Sequence, residues 1–339
     1  MSSNESIVEG LTRHQIMIQR LGSGNYQKLE PILERMAQDI RLRISSSPTD
    51  FQLNRLNQLL AEVNEVLEAG GAKLTNDLFD ELTDFAEYEA EFTQRLVNPL
   101  VTIGTVLPPL EQLESALTTS KASLISGKKI QRLTIKEMVN QFTKGKRLEV
   151  DSIIRAGFIE GKTSQQIASE VQSLLGIKAK RQALTLVRTA TNHAGSTARK
   201  TFAIANRDVL DKEEWVSTLD DRTTFICMSR DSLMFPVGKG PQPPAHHGCR
   251  SLRVPVVKPE YSVYGGVKGK RASKDGPVSA KLTYSGFLRG QSSDFQNDVL
   301  GKERAKLFRS GKVTIDKFVD DMGRTLTLDE LRLREGITI

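Results

Sequence analysis

The most informative stretch of the sequence covers residues 215–256 and reads WVSTLDDRTTFICMSRDSLMFPVGKGPQPPAHHGCRSLRVPV. It overlaps Glu214–Ser217, where aromatic and β-branched residues predict a strand. Residues 219–262 contain six of the chain's 12 prolines, both cysteines and two of its four histidines. We therefore expect a short strand followed by an irregular segment in which the chemically versatile side chains are concentrated.

This segment contains three candidate metal ligands, Cys227, His246 and Cys249. Two thiolates and an imidazole are donors that zinc prefers, but a structural zinc site needs four ligands in tetrahedral array. One of three neighbours could complete the set: Asp231, which we take as the working ligand, His247 or Asp220. Two alternatives to zinc stay open, namely buried thiols beside a hydrogen-bonded histidine, and a disulfide, which is rare in reducing compartments.

Charge is distributed unevenly along the chain. Residues 1–120 carry nine Lys and Arg against 18 Asp and Glu, whereas residues 121–206 carry 16 basic and five acidic side chains, a net charge of +11. Such a block attracts polyanions, and its few Phe and Tyr residues favour contact with the backbone of duplex DNA over base stacking. The ordinary alternative is a solvated helical surface. The predicted DNA-contacting side chains are Lys128, Lys129, Lys144, Lys146, Arg147, Lys178, Lys180 and Arg181.

Apolar residues at helical spacing predict three helices in the acidic N-terminal part, ending near Pro48, Gly70-Gly71 and Pro99. Their apolar stripes are expected to form a local bundle core, and the alternative is a coiled-coil interface with a partner. A shorter helix is expected over residues 110–121, followed by a linker at residues 126–129.

Capping boxes mark three further helix starts, at Thr134 with Glu137, Thr163 with Gln166 and Thr327 with Glu330. Residues 179–207 contain no proline and no effective helix breaker apart from Gly195, and they predict one long helix. Residues 258–292 are rich in Gly, Ser and Lys and predict an extended arm or loop, after which the tail returns to helix from Asp294 onward.

These patterns predict a mainly α N-terminal domain and an α+β C-terminal domain that contains the small strand-rich Pro/Gly/Cys/His segment. We place the acidic helical domain at residues 1–126, the second domain at 127–262, and a linker arm with a helical tail at 263–339. No stretch approaches the roughly 18 uncharged apolar residues that a membrane span requires, and MSSNESIVEG lacks the features of a signal peptide. We therefore expect a protein of the cytosol or of a particle, without a membrane partner.

The landmarks of the informative stretch are Trp215, Asp220, Arg222, Cys227, Asp231, Pro244, His246, Cys249 and Arg250. They resemble the pattern of the phage head morphogenesis family of Mu F-like minor head (minor capsid) proteins. In that family a tryptophan strand leads to an Asp-x-Arg turn, a Cys or His, an Asp-Gly hairpin and finally H-x-x-C-R. The resemblance covers about residues 130–335 and includes residues 187–192 and 300–309.

Two positions depart from the family pattern. Ser232 replaces the glycine of the Asp-Gly hairpin, and we expect the hairpin to differ there because serine tolerates positive φ poorly. Ala190 stands where the family has an acidic residue, which removes a candidate catalytic acid. A structural role for this helix is therefore favoured.

The resemblance implies a non-enzymatic minor head protein of a tailed bacteriophage that acts in prohead assembly at the portal. The expected partners are the portal protein, the major capsid or scaffold protein, and double-stranded DNA bound without sequence specificity, with a part in genome delivery. The expected location is the interior of the phage head, and the host cytoplasm during assembly. In this interpretation Trp215, Asp220, Arg222 and Arg250 are structural motif residues.

Two other function classes stay open. A metal-dependent, nuclease-like enzyme could use the Cys and His cluster to process DNA. A plain DNA-binding module would bind through the basic block alone and would be absent from finished particles.

Overall fold

The computed structural model of the protein describes residues 3–47, 52–263 and 269–337. Its helices are α1 (Ser3–Ser46), α2 (Leu53–Val97), α3 (Leu110–Thr119), α4 (Ile135–Ile159), α5 (Ser164–Leu175), α6 (Ile177–Ala205), α7 (Phe225–Arg230), α8 (Tyr284–Arg289), α9 (Ser293–Leu300), α10 (Lys302–Arg309) and α11 (Leu328–Glu335). Its strands are β1 (Ala122–Ser126), β2 (Lys129–Leu133), β3 (Leu210–Val216), β4 (Met234–Pro236), β5 (Leu252–Val257), β6 (Lys270–Ser273) and β7 (Gly276–Ser279). A mainly helical N-terminal region and a C-terminal region with small antiparallel sheets confirm the predicted fold class.

The acidic N-terminal part contains two very long helices instead of three shorter ones. The predicted break at Gly70-Gly71 is wrong, because α2 continues through both glycines. These residues serve close helix packing: a Cβ at Gly70 would lie 2.3 Å from the sulfur of Met36, and one at Gly71 would lie 2.8 Å from the hydroxyl of Thr143. The predicted end at Pro48 lies outside the described residues.

One hydrophobic core joins α1 to α6 and β1. It contains fully buried side chains from α1 and α2, such as Ile40 and Leu78, together with Val150 of α4 and Ala194 of α6. The apolar stripes of α1 and α2 therefore face a local core. Since this core takes residues from both sides of residue 127, the domain boundaries at 127 and 263 stay predictions.

The predicted linker at residues 126–129 is instead the turn of a β-hairpin. Strands β1 and β2 pair antiparallel, with Ser126 opposite Lys129. A two-residue turn requires positive φ, which Gly127 provides at +57°. The neighbouring predictions are confirmed: α3 covers most of residues 110–121, α6 closely follows residues 179–207, and all three capping boxes form.

A three-stranded antiparallel sheet, in the order β4-β3-β5, begins with the predicted tryptophan strand. Trp215 lies on β3 and is completely buried.

The extended arm predicted over residues 258–292 is wrong for the part that the structure describes, because β6 and β7 form a hairpin and α8 follows. Arg271 of β6 is nearly fully buried and anchors this hairpin to the rest of the fold, which sequence composition could not reveal. Residues 264–268 of that arm lie outside the described residues.

The C-terminal tail is helical, as predicted from Asp294 onward. Its apolar side chains form a second core with the end of the sheet region, and this core includes Leu219, Tyr284, Phe308 and Phe318. Among the described helices, none is both long enough and apolar enough to cross a membrane.

Candidate functional site

The cysteine and histidine cluster lies where α7 meets the long loop between β4 and β5. Cys227 lies on α7, while His246 and Cys249 belong to the loop. Helix α6 holds this loop in place: the hydroxyl of Thr189 accepts a hydrogen bond from the backbone N–H of Gly248 at 2.9 Å. The side chain of Asn192 donates to the carbonyl of Cys249, also at 2.9 Å. The loop is therefore positioned by polar groups of α6 that are themselves buried.

The three ligand atoms form a compact group. The sulfur of Cys227 lies 3.4 Å from Nε2 of His246 and 3.6 Å from the sulfur of Cys249, and all three atoms lie within 4.8 Å of one another. With Zn–S of about 2.3 Å and Zn–N of about 2.05 Å, a tetrahedral site would have ligand separations of about 3.8 Å between sulfurs and about 3.6 Å between sulfur and nitrogen. The two separations from the Cys227 sulfur are thus close to the edges of a zinc tetrahedron. Both cysteines are free thiols, so the disulfide alternative is not what the structure contains.

The electrostatics of the cluster distinguish its two cysteines. The hydrogen bond with Cys249, together with burial, raises the pKa of the Cys227 thiol. Burial alone would raise the pKa of Cys249 too, but hydrogen bonds from Cys227 and His246 hold it well below its usual value. Cys249 is therefore the thiolate of the pair, and the thiolate is the form of cysteine that binds metals.

His246 is oriented as a metal-binding histidine would be. Burial lowers its pKa, but contact with the Cys249 sulfur outweighs burial and raises it overall. Its Nδ1 lies 3.0 Å from the carbonyl of His247, to which it can donate. This bond directs Nε2 toward the sulfurs, an arrangement that commonly fixes the ring of a zinc ligand.

The other motif residues build the frame around the cluster. Trp215 donates from Nε1 to the hydroxyl of Ser217, and the guanidinium of Arg230 lies 5.2 Å from the centre of its ring. Asp220 forms a two-point ion pair with Arg250, with Nη2 to Oδ1 at 2.8 Å. The charge of Arg250 is therefore compensated within the fold.

Residues 148–253 match the family model described as Phage Mu protein F like protein. This part of the chain is similar to the Mu F-like family. The matched segment runs from α4 to β5 and contains the whole cluster and the Asp220–Arg250 pair. It is shorter than the region of resemblance expected from the sequence. No curated protein and no solved structure matches the chain significantly.

Within the Mu F-like segment, Asp231 lies outside the cluster of Cys227, His246 and Cys249. Its buried carboxylate accepts hydrogen bonds from the backbone N–H groups of Ser217, at 2.8 Å, and Tyr284, at 2.6 Å. The guanidinium of Arg271 pairs with the same carboxylate at 2.8 Å. Asp220 is likewise occupied by Arg250, and His247 is not part of the group. In the described part of the chain, the cluster therefore comprises three ligands.

The turn at the position of the family's Asp-Gly hairpin contains a positive φ even though serine replaces the glycine. Ser232 has a φ of +67°, in the left-handed region, and is the one non-glycine residue with positive φ among the described residues. Its backbone N–H donates to the carbonyl of Trp215 at 2.7 Å. The hydrogen bond of Ser232 and the contacts of the neighbouring Asp231 hold the turn, and they offset the cost of a positive φ at serine.

The eight predicted DNA-contacting residues divide into two groups. The first has carboxylate partners within the fold: Lys128 with Glu330, Lys146 with Glu149, Arg147 with Glu68, and Lys180 with both Glu30 and Glu34. The second group is exposed and forms no ion pair within the described ranges: Lys129, Lys144, Lys178 and Arg181. Carboxylates from distant helices therefore neutralise part of the net charge of residues 121–206. A count of charges along the sequence could not detect these ion pairs. All eight stay predicted contacts.

Sequence reasoning also missed how α6 supports the cluster. Thr189 and Asn192 lie on either side of Ala190, and their polar side chains contact the loop. Their spacing of three residues places them on one face of α6, which is the signal that could have found them.

Proposed function

We propose that the protein is a non-enzymatic minor head protein of a tailed bacteriophage that acts in prohead assembly at the portal. The observation that carries the proposal is the Mu F-like match over residues 148–253, whose motif residues fold around one site. The family match supports a phage head-morphogenesis protein. The portal, the major capsid or scaffold protein, and a location inside the head belong to the proposal.

Contact with packaged DNA is the second part of the proposal. Residues 121–206 carry a net charge of +11, and their exposed cations Lys129, Lys144, Lys178 and Arg181 lack carboxylate partners among the described residues. Uncompensated surface cations attract the DNA backbone without reading its sequence. Such contact would also suit a protein that assists genome delivery.

Zinc is the third part. Two of the separations among Cys227, His246 and Cys249 are close to the edges of a zinc tetrahedron, and the cysteines are buried. A metal there would join α7 to the loop that α6 holds, and so would stabilise an irregular segment rich in Pro and Gly. We propose a structural role for this metal.

Quantitative mass spectrometry of gradient-purified proheads and mature virions tests the main proposal. Counted against the portal protein, this chain is expected in reproducible but substoichiometric amounts in both particles. Absence from both would contradict the proposal and favour a free DNA-binding module or an enzyme.

A plasmid-nicking assay tests the non-enzymatic part. The protein is expected to leave supercoiled plasmid intact in the presence of divalent metals. Nicking that disappears in His246→Ala, but persists in the matched variant His247→Ala, would overturn this expectation and assign the cluster to a nuclease.

A further inference from the structure

Three motif arginines that are far apart in the sequence meet at one cavity. Arg188 comes from α6, Arg222 from the turn after β3, and Arg250 from the loop before β5. The cavity has a volume of about 280 Å³, and one side of it is formed by α1 through residues that include Thr12 and Gln15. The family pattern shows these arginines as separate motif elements, and only the fold brings them together.

The cavity carries positive charge that the protein does not neutralise. Arg250 is paired with Asp220, but Arg188 bonds only to a neutral group, the hydroxyl of Ser23, at 2.8 and 3.2 Å. Arg222 is exposed, and within the described residues neither it nor Arg188 forms an ion pair. No residue lining the cavity is acidic. Two guanidinium groups are therefore available to an anion.

The rest of the lining restricts the kind of anion. Gln15 donates from Nε2 to Asn192 at 3.1 Å, while its Oε1 is buried without a hydrogen-bond partner. Ile16 and Leu252 provide apolar surface beside the arginines. The cavity thus combines arginine side chains with apolar surface, which suits a phosphate ester with its attached sugar better than a bare ion.

We infer that this cavity, the arginine pocket, binds a phosphate group, and that in the assembled particle the phosphate belongs to DNA. The planar fork of arginine matches phosphate oxygens and binds them at two points. A volume near 300 Å³ is at the lower end of ligand sites, which suits one phosphate group of a DNA backbone lying across the opening. The assignment of the phosphate to DNA rests on the proposed function.

The test is fluorescence anisotropy of a short labelled DNA duplex binding to the full chain, measured over a range of salt concentrations. Arg222→Gln is the primary variant, because the side chain is exposed and its loss does not endanger the fold. Arg188→Gln is the second, with Ser23→Ala as its control for the lost hydrogen bonds. Arg207→Gln is the matched control for charge: Arg207 is exposed, and it lies beyond the far end of α6, roughly 25 Å from Arg188 along the helix.

Arg222→Gln and Arg188→Gln are each expected to raise the Kd for the duplex about tenfold. Each is also expected to reduce the slope of log K against log salt by about one, because one phosphate contact is lost. Arg207→Gln and Ser23→Ala should bind as the unmodified protein does. Equal losses in Arg222→Gln and Arg207→Gln, or no loss in the two pocket variants, would overturn the inference.

Inorganic phosphate as a competitor separates the two sources of the ligand. Competition that is lost in Arg222→Gln supports a pocket that accepts free phosphate as well as DNA. No competition, combined with weaker duplex binding by both pocket variants, supports DNA alone as the ligand. If particles contain the protein but the pocket variants bind normally, the inference fails and the proposed head function stands.

Discussion

Replacing Cys249 with serine tests the metal centre, because it removes one ligand and changes little else. Cys249 is fully buried and its sulfur lies 3.6 Å from that of Cys227, a separation that suits a shared zinc ion. A serine hydroxyl is not ionised and is a poor zinc ligand. The variant should therefore lose the stabilisation that zinc provides, while the rest of the fold keeps its contacts.

The expected change in the free energy of unfolding follows from the linkage between zinc binding and folding. Zinc at about 100 times its Kd stabilises the folded state by about 2.7 kcal/mol. For 339 residues that unfold together, an unfolding entropy of about 2.1 cal/mol/K per residue converts this to a rise in Tm of about 4 °C. Without zinc, Cys249→Ser should cost only about 1 kcal/mol, as an ordinary conservative core substitution does.

Thermal unfolding with and without added zinc, together with the zinc content of the purified protein by elemental mass spectrometry, measures both quantities. His246→Ala should lose the zinc response as Cys249→Ser does, whereas His247→Ala should keep it because His247 lies outside the cluster. A protein purified without zinc, whose Tm rises equally with zinc in all four forms, would refute the metal centre. The hydrogen-bonded thiol alternative would then stand.

Urea unfolding checks three further predictions. Burial lowers the pKa of His193 to about 4, so the unfolded chain takes up the proton first as pH falls and the free energy of unfolding decreases between pH 6.5 and 4. Relative to His193→Gln, this decrease should be on the order of 3 kcal/mol. Equal pH profiles of the two proteins would contradict the prediction. Arg271→Met should cost about 3–5 kcal/mol because it leaves Asp231 buried without its cation, and adding Asp231→Asn should recover part of the loss. Gly71→Ala should destabilise the fold, since the added Cβ would lie 2.8 Å from a threonine hydroxyl of α4. Gly24→Ala, whose Cβ would meet nothing within 4 Å, should stabilise the fold by about 0.5–1 kcal/mol. Stabilisation by both variants would contradict the packing role of the glycine in α2.

The elements that sequence patterns predicted well are those whose signals are local. The capping boxes at Thr134, Thr163 and Thr327 each involve a hydroxyl and an acid or amide three residues later, so the same short segment contains both partners. The three cluster ligands were also recognised, because their donor types are rare in this chain. Gly70 misled the prediction, since a glycine that ends a helix and one that admits a neighbouring helix have the same sequence signal.

The sequence by itself determined the helix starts, the tryptophan strand, the donor types of the cluster and the family resemblance. The tertiary structure decided which charges are free, because the partner of Lys180 lies about 150 residues away and the partner of Asp231 is Arg271 of a hairpin that looked like an extended arm. It also decided that Arg188, Arg222 and Arg250 share one cavity. The physical reason is range: capping and strand propensity act over a few residues, whereas burial, ion pairing and the shape of a pocket depend on segments that packing alone brings together.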